Sequence, residues 1–218
     1  MIDRRRALHQ LLALGPACLT LASAGCGRAP LTGRPVPPGA TVLALGDSLT
    51  AGAGAEAGEA YPEVLASLTG WAVVNAGVGG DTSAQALARL PALLETHRPA
   101  LVLLGIGGND LLRRLPEDQL RENIRRMVAL CRAADAQVLL IAVPRPTLGS
   151  RLTDSLDDHR LYGELSEALQ VPLHRRGWSE VLQEPALRAD AIHANAQGYR
   201  RFAAGLLATL RAARLRDG

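Results

Sequence analysis

Short, continuously apolar segments alternate with helical segments along most of this chain, and this alternation limits the fold more than any other feature. Apolar segments occupy residues 41–45, 72–74, 100–104 and 138–143, with a weaker one at 171–173. Apolar residues at helical spacing occupy 60–68, 84–95, 118–134, 158–169 and 196–215. Because the strands are apolar throughout rather than at alternate positions, they predict a parallel sheet with helices on both faces, a three-layer α/β/α sandwich.

The composition limits both the number of domains and the kinds of partner. A length of 218 residues is enough for one domain with a sizeable core. Aromatic residues make up only 3% of the chain, which argues against a surface that stacks single-stranded nucleic acid. The net charge of +3 is carried by arginines scattered over the whole chain, and the sequence contains no lysine. We therefore expect no nucleic-acid partner.

The N-terminal part of the chain has the pattern of an export signal rather than of a folded element. Residues 4–6 are arginines, and residues 7–25 contain no Asp, Glu, Lys or Arg. We predict a signal peptide over residues 1–26, a proline-rich tether over 27–39 and the folded domain over 40–218. The protein is then exported, and is either periplasmic or anchored at the cell envelope.

Two processing schemes fit the end of this signal. Ala22-Ser23-Ala24 suits cleavage to a soluble protein, whereas Ala24-Gly25-Cys26 resembles the end of a lipobox, with Ser23 where leucine is usual. In the second scheme Cys26 carries a lipid that anchors the chain to a membrane. Cys131 is then the thiol that remains in the domain, so an internal disulfide is excluded.

Polar or glycine-rich turns follow the first three predicted strands, and parallel strands bring such turns to one edge of the sheet. The first turn contains Ser48, whose hydroxyl needs a neighbouring base to act as a nucleophile. His193 is the best candidate, because it precedes the last helix and has Asp190 three residues before it. Asp190 can orient the imidazole toward Ser48. Taken alone, an Asp and a His at this spacing in a loop ordinarily form no more than a solvated turn.

The other two turns supply hydrogen-bond donors for a developing oxyanion. Gly80 in the second turn offers an unobstructed main-chain N–H, and Asn109 in the third offers its side-chain amide, alongside the N–H of Ser48. Each has a structural alternative, since glycine also serves tight turns and Asn109 can cap a helix.

Four blocks of the sequence resemble those of the SGNH, or GDSL, hydrolase family. They are GDSL at 46–49, NAGVGGDTS at 75–83, GGND at 107–110 and DAIH at 190–193, in the family's order. The resemblance is greatest to the exported bacterial arylesterases, lysophospholipases and thioesterases. It implies a flavodoxin-like fold with a five-stranded parallel sheet, Ser48 as nucleophile, Gly80 and Asn109 as oxyanion donors, His193 as base and Asp190 as its orienting group. One departure concerns loop rigidity: Ala191 and Ala194 stand where the family usually has Gly and Pro.

The resulting expectation is a monomeric serine esterase that needs no metal or organic cofactor. Its substrate would be a small acyl ester, a thioester or a lysophospholipid, cleaved through an acyl-Ser48 intermediate. Two alternatives remain open at this level: a deacetylase of cell-surface carbohydrate with the same catalytic residues, and a non-catalytic protein that binds an acylated ligand. A loose G-x-G-x-x-G/A match at residues 52–57 lies too far beyond the first strand to indicate a dinucleotide site.

Overall fold

The computed structural model describes residues 31–145 and 156–217. Five strands form one parallel sheet, as the sequence predicts. They are β1 Thr41–Gly46, β2 Ala72–Gly77, β3 Leu101–Gly105, β4 Gln137–Ile141 and β5 Leu173–His174. Their order in the sheet is β2-β1-β3-β4-β5. The helices are α1 Ser48–Ala51, α2 Tyr61–Thr69, α3 Ser83–His97, α4 Gly108–Leu112, α5 Glu117–Ala133, α6 Leu161–Leu169, α7 Gly177–Gln183 and α8 Ala196–Ala212.

The two faces of the sheet bury separate apolar cores, which makes the fold the predicted three-layer sandwich. Leu43 and Leu45 of β1 pack with residues of α3, α5 and α6 on one face. Val42 and Ala44, which point to the other face, pack with residues of α2, α7 and α8. Because the central strands β1 and β3 are covered on both sides, residues 42–45 and 101–104 are apolar at every position.

Several element boundaries differ from the prediction: α8 ends at Ala212 rather than 215 and β4 at Ile141 rather than 143. For two other elements, tertiary contacts supply the reason. The helix predicted from residue 158 begins only at Leu161, because the main chain of Asp158 and His159 is bonded to that of residues 143–144. The fifth strand is Leu173–His174 rather than 171–173, because the N–H of Val171 instead bonds the carbonyl of Ser166 at the end of α6.

The second half of the predicted tether packs on the folded domain. The N–H groups of Gly33 and Val36 donate to the carbonyls of Ala213 and Leu215, and the side chain of Val36 is buried. Trp71 Nε1 donates to the carbonyl of Val36 at 3.1 Å. Proline content predicted an extended segment, but the apolar Val36 and these bonds dock it on the domain. Residues 1–30, with the predicted signal and Cys26, lie outside the described residues.

His174 is a buried histidine that should make folding sensitive to acid. Its Nδ1 lies 2.8 Å from Thr209 Oγ1, and its ring packs edge-on against Phe202. Nε2 is buried without a hydrogen-bond partner among residues 31–145 and 156–217. Burial lowers the pKa of His174 to about 4, against the opposing influence of Asp158 and Glu180. The folded protein therefore holds this imidazole neutral where an unfolded chain would protonate it.

We expect His174 to make the folded protein less stable as the pH falls from about 6.5 to about 4. In that interval the unfolded chain binds the proton and the folded chain does not, so the free energy of unfolding decreases. Between pH 7 and pH 4.5, the free energy of unfolding should fall by about 2 kcal/mol more in the wild-type protein than in His174→Gln. Urea unfolding of both proteins at the two pH values measures this difference. If both proteins lost the same free energy of unfolding between the two pH values, the neutral, buried state of His174 would be contradicted.

Candidate active site

Three turns that follow β1, β2 and β3 meet at one edge of the sheet. Gly46, the last residue of β1, is in register with Gly77 at the end of β2 and with Gly105 at the end of β3. Ser48 lies two residues beyond the first of these positions and Asn109 four beyond the third. The parallel register therefore brings together sequence segments that are about 30 to 60 residues apart.

The turn after β1 places Ser48 at the start of a short helix. A side chain at Gly46 would collide with the side chain of Thr50 and the carbonyl of Gly105, so only glycine fits there. Asp47 caps α1, because its Oδ1 accepts the N–H of Leu49 at 3.1 Å. As the first residue of α1, Ser48 has a main-chain N–H that the helix itself leaves without a partner.

Asp47 is an acidic side chain buried directly beside Ser48. Burial raises its pKa to about 6, although the bond from the N–H of Leu49 and the nearby His193 both act in the opposite direction. Neither the sequence nor its family resemblance assigned this carboxyl a part in the triad. The structure shows it holding the main chain of α1.

Ser48, His193 and Asp190 form a continuous hydrogen-bonded series. His193 Nε2 lies 3.0 Å from Ser48 Oγ, and His193 Nδ1 lies 2.7 Å from Asp190 Oδ2. An imidazole that donates its Nδ1–H to the carboxylate has an Nε2 lone pair facing the serine hydroxyl. The same hydrogen bond lowers the pKa of Asp190, so this carboxyl is ionised at neutral pH. The side chain of His193 is 19% exposed and that of Asp190 is 56% exposed.

The loop that carries His193 is fixed by its own hydrogen bonds, despite the alanines at 191 and 194. Asp190 Oδ1 accepts the N–H groups of both Ile192 and His193 at 2.8 Å. The carbonyl of His193 accepts the N–H of Ala189 at 3.0 Å, and Asn195 caps α8 through the N–H of Gly198. The orienting carboxylate therefore also shapes the turn that presents the imidazole.

The residues 52–57, which loosely match a dinucleotide motif, support this loop instead. Gly54 has a left-handed backbone, and a side chain there would collide with Ala189 and with the carbonyl of Ala194. Tyr199 donates its hydroxyl to the carbonyl of Ala53 at 2.8 Å. Gly54 therefore allows the segment after α1 to pack closely against the loop of His193.

Gly80 and Asn109 occupy the second and third turns. Gly80 has a left-handed backbone, and its carbonyl accepts a bond from Arg113 Nη2 at 2.9 Å. Asn109 Nδ2 donates to the carbonyl of Asp81 at 3.0 Å, which leaves the second amide hydrogen for another acceptor. The arrangement can therefore offer a main-chain donor and an amide donor at the same edge as Ser48.

An apolar cleft of about 240 Å³ opens beside Ser48. Leu49, Leu112, Val143, Leu182 and Ile192 contribute apolar side chains to its lining. Leu112 and Ile192 are each close to half exposed, although both are large apolar residues. A larger cleft of about 330 Å³ is lined by residues of α6 and by Thr209 of α8, none of which carries the predicted chemistry. We therefore take the cleft at Ser48 as the candidate binding site.

Residues 31–145 and 156–217 contain no group of three or more His, Cys, Asp or Glu side chains arranged to hold a metal ion. The helices of these residues include none that is long and apolar enough to span a membrane.

The chain resembles known proteins over most of the described domain. Residues 44–201 match the model of the GDSL-like lipase/acylhydrolase family. Thioesterase 1/protease 1/lysophospholipase L1 of Escherichia coli (strain K12) is 39% identical over 161 residues, which are 71% of this chain and 76% of that protein. Esterase TesA of Pseudomonas aeruginosa is 36% identical over 162 residues, which are 70% of this chain and 79% of that protein.

A solved structure shows the same similarity in three dimensions. The crystal structure of TesA superimposes with a TM-score of 0.70 at 33% sequence identity and covers 78% of this chain and 98% of the crystallised one.

Proposed function

We propose that this chain, which belongs to the GDSL-like lipase/acylhydrolase family and is a carboxylic ester hydrolase, cleaves its substrate through an ester intermediate on Ser48. The observation that carries the proposal is the continuous series from Asp190 through His193 to Ser48 Oγ. A serine hydroxyl in this position can transfer its proton to Nε2 as it attacks.

The proposed reaction has two halves that use the same base. In the first half Ser48 Oγ attacks the substrate carbonyl carbon while its proton passes to His193. His193 then gives that proton to the leaving group, which departs as an alcohol from an ester or as a thiol from a thioester. In the second half His193 takes a proton from water as the water oxygen attacks the acyl-Ser48 carbonyl carbon. It then returns that proton to Ser48 Oγ as the acyl–oxygen bond breaks and the acid is released. Both tetrahedral intermediates carry an oxyanion, which the N–H groups of Ser48 and Gly80 and the amide of Asn109 stabilise.

We further propose that the acyl group of the substrate is an apolar chain. The cleft beside Ser48 is lined mainly by aliphatic side chains, and burial of each methylene in such a site contributes about 0.8 kcal/mol. The names of the similar proteins include a thioesterase, a lysophospholipase and an esterase. We therefore favour esters and thioesters of aliphatic acids, including lysophospholipids, over acetylated carbohydrate.

Hydrolysis of a series of p-nitrophenyl esters from acetate to palmitate, together with acetylated xylan, tests this choice. We expect kcat/KM to rise from acetate to a chain of medium length, because added methylenes enter the apolar cleft. Acetate release from the glycan should be slower by at least tenfold. Preferred release from the glycan, with little turnover of the aryl esters, would instead support the deacetylase alternative.

We also propose that the chain is exported and that Cys26 is lipidated, which would anchor it at the cell envelope. The basis is the arginine-rich start followed by an uncharged segment, together with the resemblance of Ala24-Gly25-Cys26 to the end of a lipobox.

Fractionation of cells that express the full chain tests the anchor. We expect the esterase activity to sediment with membranes and the Cys26→Ser variant to be released in soluble form with the same activity toward p-nitrophenyl butyrate. A wild-type protein that is already soluble after export would contradict lipidation without affecting the proposed chemistry.

A further inference from the structure

Arg89 of α3 joins two of the turns that form the candidate active site. Its Nε donates to Asp81 Oδ2 at 2.8 Å, and its Nη2 donates to the carbonyl of Gly46 at 2.9 Å. The side chains of Arg89 and Asp81 are 25% and 8% exposed, so solvent screens this ion pair only partly. The carbonyl of Gly46 also accepts the N–H of Val78, from the second turn.

Asp81 extends this connection to the third turn. Its main-chain carbonyl accepts the bond from Asn109 Nδ2, and it follows Gly80 directly in the chain. Gly46 lies two residues before Ser48. Arg89 and Asp81 together are therefore bonded to, or adjacent to, all three segments that contribute a proposed oxyanion donor.

We propose that Arg89 and Asp81 are positioning residues that fix the relative placement of the oxyanion donors from Ser48, Gly80 and Asn109. This proposal rests on the proposed function. Donors stabilise an oxyanion only when they lie about 2.7–3.1 Å from the place where it forms, so the three turns must keep a fixed spacing. A guanidinium is suited to this task, because it is planar, always charged and donates in two directions at once.

The fold of α3 does not depend on this arginine. The helix has a capping box formed by Thr82 and Gln85, and its apolar face is buried through Ala86, Leu90 and Leu94. Its first turn is also held to α4 by Asp110, whose two carboxylate oxygens accept the N–H and the hydroxyl of Ser83. These contacts remain when Arg89 is replaced, so the variants should fold.

The test compares Arg89→Gln, Arg89→Lys and Asp81→Asn with the control Arg125→Gln, which removes an exposed arginine from α5. For p-nitrophenyl butyrate we expect Arg89→Gln to lower kcat by about 10- to 100-fold with KM changed by less than threefold. Arg89→Lys should retain part of the rate, because a lysine can reach only one of the two acceptors. The control should keep the wild-type kcat.

Two further readouts separate positioning from a merely structural role. A boronic acid that forms a tetrahedral adduct with serine should lose affinity in proportion to kcat/KM, while the melting temperature changes by only a few degrees. The double variant Arg89→Gln/Asp81→Asn should be no slower than Arg89→Gln alone, because both residues act as one unit.

Three outcomes would overturn the proposal. If Arg89→Gln keeps the wild-type kcat, the positioning role is refuted while the proposed function stands. The same conclusion follows if its loss of rate equals its loss of folded protein. If Ser48→Ala hydrolyses the ester as fast as the wild type, the proposed function fails and the positioning role fails with it.

Discussion

Replacement of Ser48 by alanine should reduce kcat for p-nitrophenyl butyrate by at least about 10⁴-fold, because the acyl group then has no oxygen to bond to. The remaining rate would come from donors that still polarise the carbonyl for attack by water. Release of p-nitrophenolate measures the change. The fold should be unaffected, since Asp47 continues to cap α1 through the main chain of Leu49.

Ser67→Ala is the matched control for this prediction. Ser67 is an exposed serine of α2 whose hydroxyl donates to the carbonyl of Glu63 in the same helix. Its removal should leave kcat and KM unchanged. A Ser48→Ala protein that retains more than a few per cent of the wild-type kcat would contradict the assignment of the nucleophile.

Replacement of His193 by glutamine should lower kcat by a similar factor, about 10⁴-fold. In the wild type, His193 Nε2 lies 3.0 Å from Ser48 Oγ and can accept its proton. The amide of glutamine fills much of the space of the imidazole but cannot act as this base. Because nucleophile and base act as one unit, the double variant Ser48→Ala/His193→Gln should be no slower than either single variant. The same ester assay measures all three proteins.

His97→Gln is the control for the histidine, since His97 ends α3 at the opposite edge of the sheet. It should retain the wild-type rate. Additive losses in the double variant would show that Ser48 and His193 act independently, contrary to the hydrogen-bonded series.

Hydrophobic patterning was sufficient to predict the layers and the sheet. Segments 42–45 and 101–104 are apolar at every position because both faces of their strands are buried, and a parallel sheet is the arrangement that requires this. The fifth strand begins two residues later than predicted. Its start depends on how the chain leaves α6 at Gln170, which has a left-handed backbone. The docking of Val36 was missed because a proline-rich composition does not reveal a tertiary contact.

The four sequence blocks predicted which residues meet at the edge of the sheet, since parallel register brings the ends of β1, β2 and β3 level. The structure places Ser48, His193 and Asp190 in contact, and Gly80 and Asn109 in the adjoining turns. Their catalytic roles stay predictions that the experiments above test.

The supporting residues of the site could not be read from the sequence. Arg89 sits in the middle of an amphipathic helix, where an arginine ordinarily lies in solvent, and only the packing of α3 against the turns shows that it reaches Gly46 and Asp81. Asp110 follows Asn109 directly in the chain, yet its carboxylate binds Ser83, 27 residues earlier. Contacts of this kind depend on side-chain direction after the sheet has formed.

Covalent labelling with a fluorophosphonate, followed by mass mapping of the peptides, tests the central claim most directly. The reagent transfers its phosphonyl group to an activated serine oxygen and loses fluoride, so it reports both the nucleophile and its activation. We expect one adduct, on the peptide that contains Ser48, and labelling slowed by several orders of magnitude in His193→Gln. An unlabelled Ser48 in protein that still hydrolyses esters, or an adduct on a different serine, would contradict the account.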